Sequence, residues 1–160
     1  MQIGEWVEQM RRSGHICGDY CRRLEYVTNR KELFRVLCDA NGGRWLFDLD
    51  AKKVVLPVED FVKEYASAIN GQQVVDYDGY TSTFYVRYNG DIQVSTTLVY
   101  CLECKTKIFV PANKWPTVIL SSVSTADIAL SPSARINIEL YGNAKYTVSG
   151  DMSRVRINRH

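Results

Sequence analysis

The chain changes its hydrophobic period once, near Gly71. Before that point apolar residues recur at three- and four-residue intervals: Ile3, Trp6, Val7 and Met10 in "QIGEWVEQMRRSG", Cys17, Tyr20, Cys21 and Leu24 in "HICGDYCRRLEYV", Leu33, Phe34, Leu37 and Cys38 ahead of "NGG", and Phe61, Val62, Tyr65 and Ile69 in "PVEDFVKEYASAING". Side chains spaced in this way share one face of a helix, so each stretch predicts an amphipathic helix. Starts and stops agree: Gly14 and Asn70-Gly71 terminate, Pro57 suits a first turn, and Asn29 three residues before Glu32 forms a capping box with Asn in place of Ser or Thr. "RWLFDL" is too short for its period to choose between helix and strand.

After Gly71 the period is two. "STFYVRY", "GDIQVST", "TLVYCL", "KTKIFV", "PTVILSS", "ADIAL", "RINIEL", "KYTV" and "RVRI" are short, rich in β-branched and aromatic residues and bounded by turn formers, so everything from about Thr81 onward is expected to be strand. Leu98, Ile108, Ile119, Ile128, Ile138, Val148 and Ile157 follow one another at steps of 10, 11, 9, 10, 10 and 9 residues. A step this regular is what stacked short units produce, each burying an inward residue on the one before. An antiparallel meander could show it too. The turns favour the solenoid, being Gly, Asn and Ser clusters with Asn89-Gly90 as the exceptional hairpin-like dipeptide.

The expected class is therefore α+β. A cap of about four helices spans residues 1–71, and a short β-solenoid of three to four rungs spans 72–160, the two making one continuous unit. In this reading the helices shield the first rung from edge pairing.

Composition changes the picture little. With 46% apolar and 24% charged residues the chain is ordinary for a folded protein, and a net charge of +2 excludes a uniformly basic nucleic-acid binder. The N-terminus has no apolar run of signal-peptide length, and no stretch approaches the roughly 20 apolar residues of a membrane span. Five cysteines, an odd number, suit a reducing compartment. These features lead to the expectation of a cytoplasmic protein.

The N-terminal "EWVEQMRRSG" and "NRKELFRVLCDANG", the "ING" helix end, "YDGYTS" and the tail "YGNAKYTV" together resemble a family of small proteins carried by bacteriophages and mobile elements of gut anaerobic bacteria. The resemblance covers most of the chain and rests on structural motifs. It implies a phage or prophage accessory protein and brings no catalytic or binding residues with it.

Several clusters carry candidate chemistry. Cys101 and Cys104 in "CLEC" have zinc-ligand or redox spacing, and Cys17 and Cys21 lie one helical turn apart near His15, but strand alternation would send Cys101 and Cys104 to opposite faces unless a turn intervenes. The alternative is buried thiols acting as small hydrophobes, and no metal or cofactor is expected. His15 and His160 are the histidines available for catalysis, and His160 ends the sequence on a segment expected to fray. Asp76, Asp78 and Asp91 could gather at one end of the β region, although Asp is also a common turn former.

Arg11, Arg12, Arg22 and Arg23 on neighbouring helices, and Arg154 and Arg156 on the outward face of the last strand, could meet phosphate or an acidic partner. Tyr77, Tyr80, Phe84, Tyr85 and Tyr88 crowd the junction, where core packing competes with a ligand surface. The sequence thus points to a non-enzymatic module that binds a protein partner, host or phage, or itself as a homo-oligomer, in an interaction or anti-defence role. The second reading is a binder of a nucleotide signal or nucleic acid through the arginine-rich helices and Tyr77, Tyr80 and Tyr85. "SRVRINRH" alternates like a paired strand, which makes it the expected association edge.

Overall fold

The computed structural model describes residues 4, 5, 8, 12, 18–29, 32, 36, 63, 66–75 and 79–160. Its main body is a two-sheet β-solenoid. Strands β1 (Gln73–Val75), β2 (Thr81–Val86), β4 (Leu98–Leu102), β6 (Thr117–Ser121), β8 (Ile136–Leu140) and β10 (Val155–Arg159) form one sheet in that order. The second sheet holds β3 (Asn89–Gln93), β5 (Lys105–Val110), β7 (Thr125–Leu130) and β9 (Lys145–Ser149). Apart from β1 on β2, every pairing is parallel, so the chain winds from one sheet to the other and back, about four turns in all. That removes the meander, whose neighbours would run antiparallel. All nine segments with period two are strands, and Asn89-Gly90 lies inside β3.

Register shows why the step is near ten residues. Val99, Val118, Ile138 and Ile157 are successive Cα partners in the larger sheet, as are Ile92, Ile108, Ile128 and Val148 in the smaller one. The two columns face each other across the thin core, which also holds Cys101, Leu120, Leu130, Ile136 and Leu140. Two positions assigned inward from the sequence, Leu98 and Ile119, belong to the other face: Leu98 opposes Thr117, and Ile119 sits between Tyr100 and Glu139. "LVYCL" and "TVILS" are apolar on both faces, so alternation alone does not fix their register, and a one-residue slip exchanges the faces.

Corners need a residue in left-handed backbone. Arg87, Glu103, Ser122 and Gly142 supply it at one corner, with φ of 49°, 53°, 62° and 62°. Gly142 stacks so closely on the coil below that a Cβ would lie 3.2 Å from the Ser122 carbonyl oxygen. A glycine relieves both constraints at once. Asn113 and Ser133 play this part at the opposite corner, where the Ser133 hydroxyl donates to Asn113 Oδ1 at 2.8 Å.

The expected four-helix cap is overturned. Among the described residues the chain is mostly β, with two short helices: α1 (Gly18–Glu25) and a 3-10 turn (Met152–Arg154) near the other end of the sequence. Helical backbone is also described at residues 4, 5, 8, 12, 32, 36, 63 and 66–69, but the described residues do not make up a four-helix cap. An apolar stripe does not by itself build one, because short helices need tertiary support. Local signals fared better. Asn29 Oδ1 accepts from Glu32 N at 3.1 Å, and the Glu32 carboxylate accepts from Thr28 N at 2.8 Å. These bonds from Thr28 hold the Glu32 carboxyl below its usual range. Helical backbone at 66–69 ends at Asn70, whose side chain takes Val86 N at 2.7 Å and gives to the Val86 carbonyl at 3.1 Å.

The expected role of the cap is also corrected: the outer edge of β2 is paired by strand β1. Phe84, Val86 and Leu102 point away from the solenoid core, yet all three are fully buried. Leu24, Val27, Ala66 and Ile69, which precede the solenoid, are buried as well. The preceding chain therefore packs on the outer face of the larger sheet.

Candidate functional site

The solenoid brings Arg154 and Arg156, singled out from the sequence, together with Trp115, Arg135 and Asn137, which were not. At the corner leading from the second sheet back to the first, one coil of 19 or 20 residues sets Trp115, Arg135 and Arg154 in one column, and register pairs Thr117, Asn137 and Arg156 in the next. Between the columns runs a cleft of about 350 Å3, lined by Trp115, Arg135, Asn137, Asp151, Arg154 and Arg156 among others. Trp115 is 61% exposed. The Arg135 guanidinium lies over its ring, 5.2 Å from the centroid, and the indole N–H donates to Asn137 Oδ1 at 3.4 Å. The indole is thus held by one face and its edge while much of its surface stays open.

Two carboxylates lie near this cationic corner, and both are occupied. Asp151 accepts from Ser153 Oγ at 2.7 Å and from Ser153 N at 3.0 Å, and Arg154 lies 3.5 Å away. The Ser153 bonds, helped by Arg154, hold the Asp151 carboxyl below its ordinary range. Burial works to raise the Glu139 carboxyl, but hydrogen bonds from His160 and Asn158 and the charge of Arg156 outweigh it, leaving it lowered. His160 is not frayed. Its ring stacks on Tyr141 at 4.4 Å, Nε2 lies 2.6 Å from Glu139 Oε2, and its backbone N–H donates to the Leu140 carbonyl.

The residues singled out from the sequence are scattered. Arg154 sits in the 3-10 turn and not on the last strand, and Arg156 faces outward into the cleft. Arg12 is exposed and paired with Glu8 at 2.8 Å, and Arg22 and Arg23 lie in the last turn of α1. Tyr80 is largely exposed, whereas Tyr85 packs against the core with its ring 4.9 Å from that of Tyr88, and burial raises its phenol. Arg11, His15, Cys17, Tyr77, Asp76 and Asp78 lie outside the described residues. Asp91 faces out from the second sheet, in a column that runs Asp91, Lys107, Asp127 and Thr147. Here opposite charges alternate, and Thr147 Oγ1 donates to Asp127 at 2.6 Å.

A turn does intervene between Cys101 and Cys104. Left-handed Glu103 bends the chain, and both thiols end fully buried in the same core. Interaction with its neighbour Cys104, together with burial, pushes the Cys101 thiol well up, and the same pairing lowers Cys104. The Cys104 thiol also lies 3.4 Å and 3.3 Å from the carbonyls of Tyr85 and Leu102. Among the described residues no three potential ligands group as a metal site would require. Burial decides reactivity here, because neither sulfur has exposed surface for an electrophile to reach. Iodoacetamide followed by peptide mapping should leave Cys101 and Cys104 unmodified in the native protein and label both after denaturation. Replacing both with Ala should lower stability by about 1–3 kcal/mol. Rapid labelling of native Cys101 would show that this corner opens.

Trp115, Arg135 and Asn137 escaped the sequence reading because each stands in a different coil. A signal did exist: folding the tail at a 20-residue period aligns Trp115 with Arg135. Comparison with known proteins finds no matching family model, no matching curated protein and no matching solved structure. No described helix is long and apolar enough to cross a membrane.

Proposed function

We propose that the protein is a non-enzymatic binding and assembly module that receives an extended segment of a protein partner on the free edge of β10. One observation carries this reading. β10 is bonded to β8 along one edge and to no described strand along the other, and Ile157, which continues the buried column of Val118 and Ile138, keeps 37% of its surface exposed. A strand added there would pair the backbone groups and cover Val155 and Ile157.

Charge selects among partners. Lys145, Arg156 and Arg159 lie on the last two strands, so two copies meeting edge to edge would oppose like charges, whereas an acidic segment would be attracted. In the phage or mobile-element setting that the sequence resemblance implies, such a segment belongs to a host protein or another phage component met in the host cytoplasm. Masking it would be an anti-defence act. Homo-oligomerisation through the same edge is the second arrangement.

Ile157→Glu tests the reading. It replaces a partly exposed side chain, so the melting temperature should fall by only a few degrees, while capture of an acidic partner segment retained by the parent should be lost. Equal capture by parent and variant would overturn strand addition at β10, and light scattering that finds a stable dimer unaffected by Ile157→Glu would place association elsewhere.

A further inference from the structure

The Trp115 cleft shares Val155 and Arg156 with β10 but lies on the outer corner of the last coils and presents side chains, where the edge presents backbone. Its two columns differ in what they have left to offer. Asp151 is directed at Arg154 and Ser153, and Glu139 at His160 and Asn158. Among the described residues, neither Arg135 nor Arg156 forms an ion pair. Neighbouring coils stand about 4.8 Å apart, so these two flexible side chains, one coil and one column apart, can converge on a common anion. Beside them, Trp115 is a ring already fixed in orientation by Arg135 and Asn137 and still largely exposed.

We propose that this cleft binds a nucleoside phosphate, with the base stacked on Trp115 and the phosphate oxygens taken by Arg135 and Arg156. A guanidinium presents paired N–H groups that match phosphate oxygens, and an indole face accepts any base because every base has a π-face. The combination discriminates against other ligands. A neutral sugar would stack on the indole but leave two guanidiniums without an anion. The cleft's one side-chain amide, Asn137, is engaged by the Trp115 N–H and by Thr117 Oγ1, at 3.4 Å each, and is not free to read sugar hydroxyls. Inorganic phosphate or an acidic peptide would satisfy the arginines and leave Trp115 unused. Volume agrees, since about 350 Å3 falls within the range of small-molecule sites.

Free nucleotides and single-stranded nucleic acid share this chemistry. Fluorescence anisotropy of the intact protein with labelled dT12 at low salt, competed by unlabelled dT12, AMP, ATP, inorganic pyrophosphate, a heparin tetrasaccharide and an oligoglutamate peptide, separates them. Trp115→Ala should weaken nucleotide or dT12 binding about five- to 150-fold, the range of one lost base stack. Arg135→Gln with Arg156→Gln should abolish it, while Lys107→Gln on the opposite sheet should leave it unchanged, with melting curves confirming that each variant folds. Displacement by AMP or ATP as effective as by dT12 assigns a free nucleotide, and displacement by dT12 alone assigns a single strand; both support the proposal. Absence of binding to the parent overturns it, as does equal weakening by Lys107→Gln. Displacement by pyrophosphate, heparin or oligoglutamate as effective as by ATP also overturns it, since base recognition would then be absent.

Discussion

Ile138→Asp is expected to remove most of the stability of the fold, about 4–5 kcal/mol or more. Ile138 is fully buried on β8, the strand next to the β10 edge of the larger sheet, with Val118 on the coil before it and Ile157 on the coil after. Aspartate there would either leave an ion without a partner between two apolar neighbours or stay protonated and lose their packing. A solenoid spreads the damage, because each coil is stabilised chiefly by the coils it touches. Two companions make the test specific. Ile138→Val keeps shape and should lose only about 1 kcal/mol. Ile119→Thr alters a residue that the ten-residue step assigned to the core but the register puts on the outer face, and it should cost at most about 1 kcal/mol. Urea melts that ranked Ile119→Thr beside Ile138→Asp would mean that the register of β6 is shifted by one residue.

Phe84→Ala should destabilise by about 3–5 kcal/mol, the usual range for emptying a buried phenylalanine site. Phe84 does not face the solenoid core, so in a bare two-sheet coil it would be solvent-exposed and its loss nearly silent. Instead it is completely buried, stacked on Tyr100 with ring centroids 4.8 Å apart, and flanked by buried Val86 and Ser82. The backbone next to it is fixed as well, by a bridge to Asn70 and a hydrogen bond from Gly71 N to the Phe84 carbonyl at 3.3 Å. The prediction therefore measures how firmly the preceding chain is attached to the sheet. A loss below about 1 kcal/mol would show that this attachment contributes little, and that the solenoid stands without it.

How much was legible beforehand follows from the range of each interaction. Strand identity from Thr81 onward, the ten-residue step, the Asn70-Gly71 stop and the Asn29–Glu32 cap depend on residues a few positions apart, and the chain carries them openly. The Val99 and Val118 register, the common burial of Cys101 and Cys104 and the anchoring of His160 depend on what lies one coil away. "LVYCL" reads equally well with either face inward. A left-handed Glu103 is needed to turn Cys104 back into the core, and Glu139 and Tyr141, some twenty residues earlier, hold His160 in place.

The sequence by itself determined that the second half of the chain is a stack of short strands, because alternation and turn chemistry are local. Only the tertiary structure decided which face of each strand is buried, that the first half is not a four-helix cap, and that Trp115, Arg135 and Arg156 share one cleft. Burial and proximity are set by the coil above and the coil below, and no window shorter than one coil, 16 to 20 residues in the register, contains both partners.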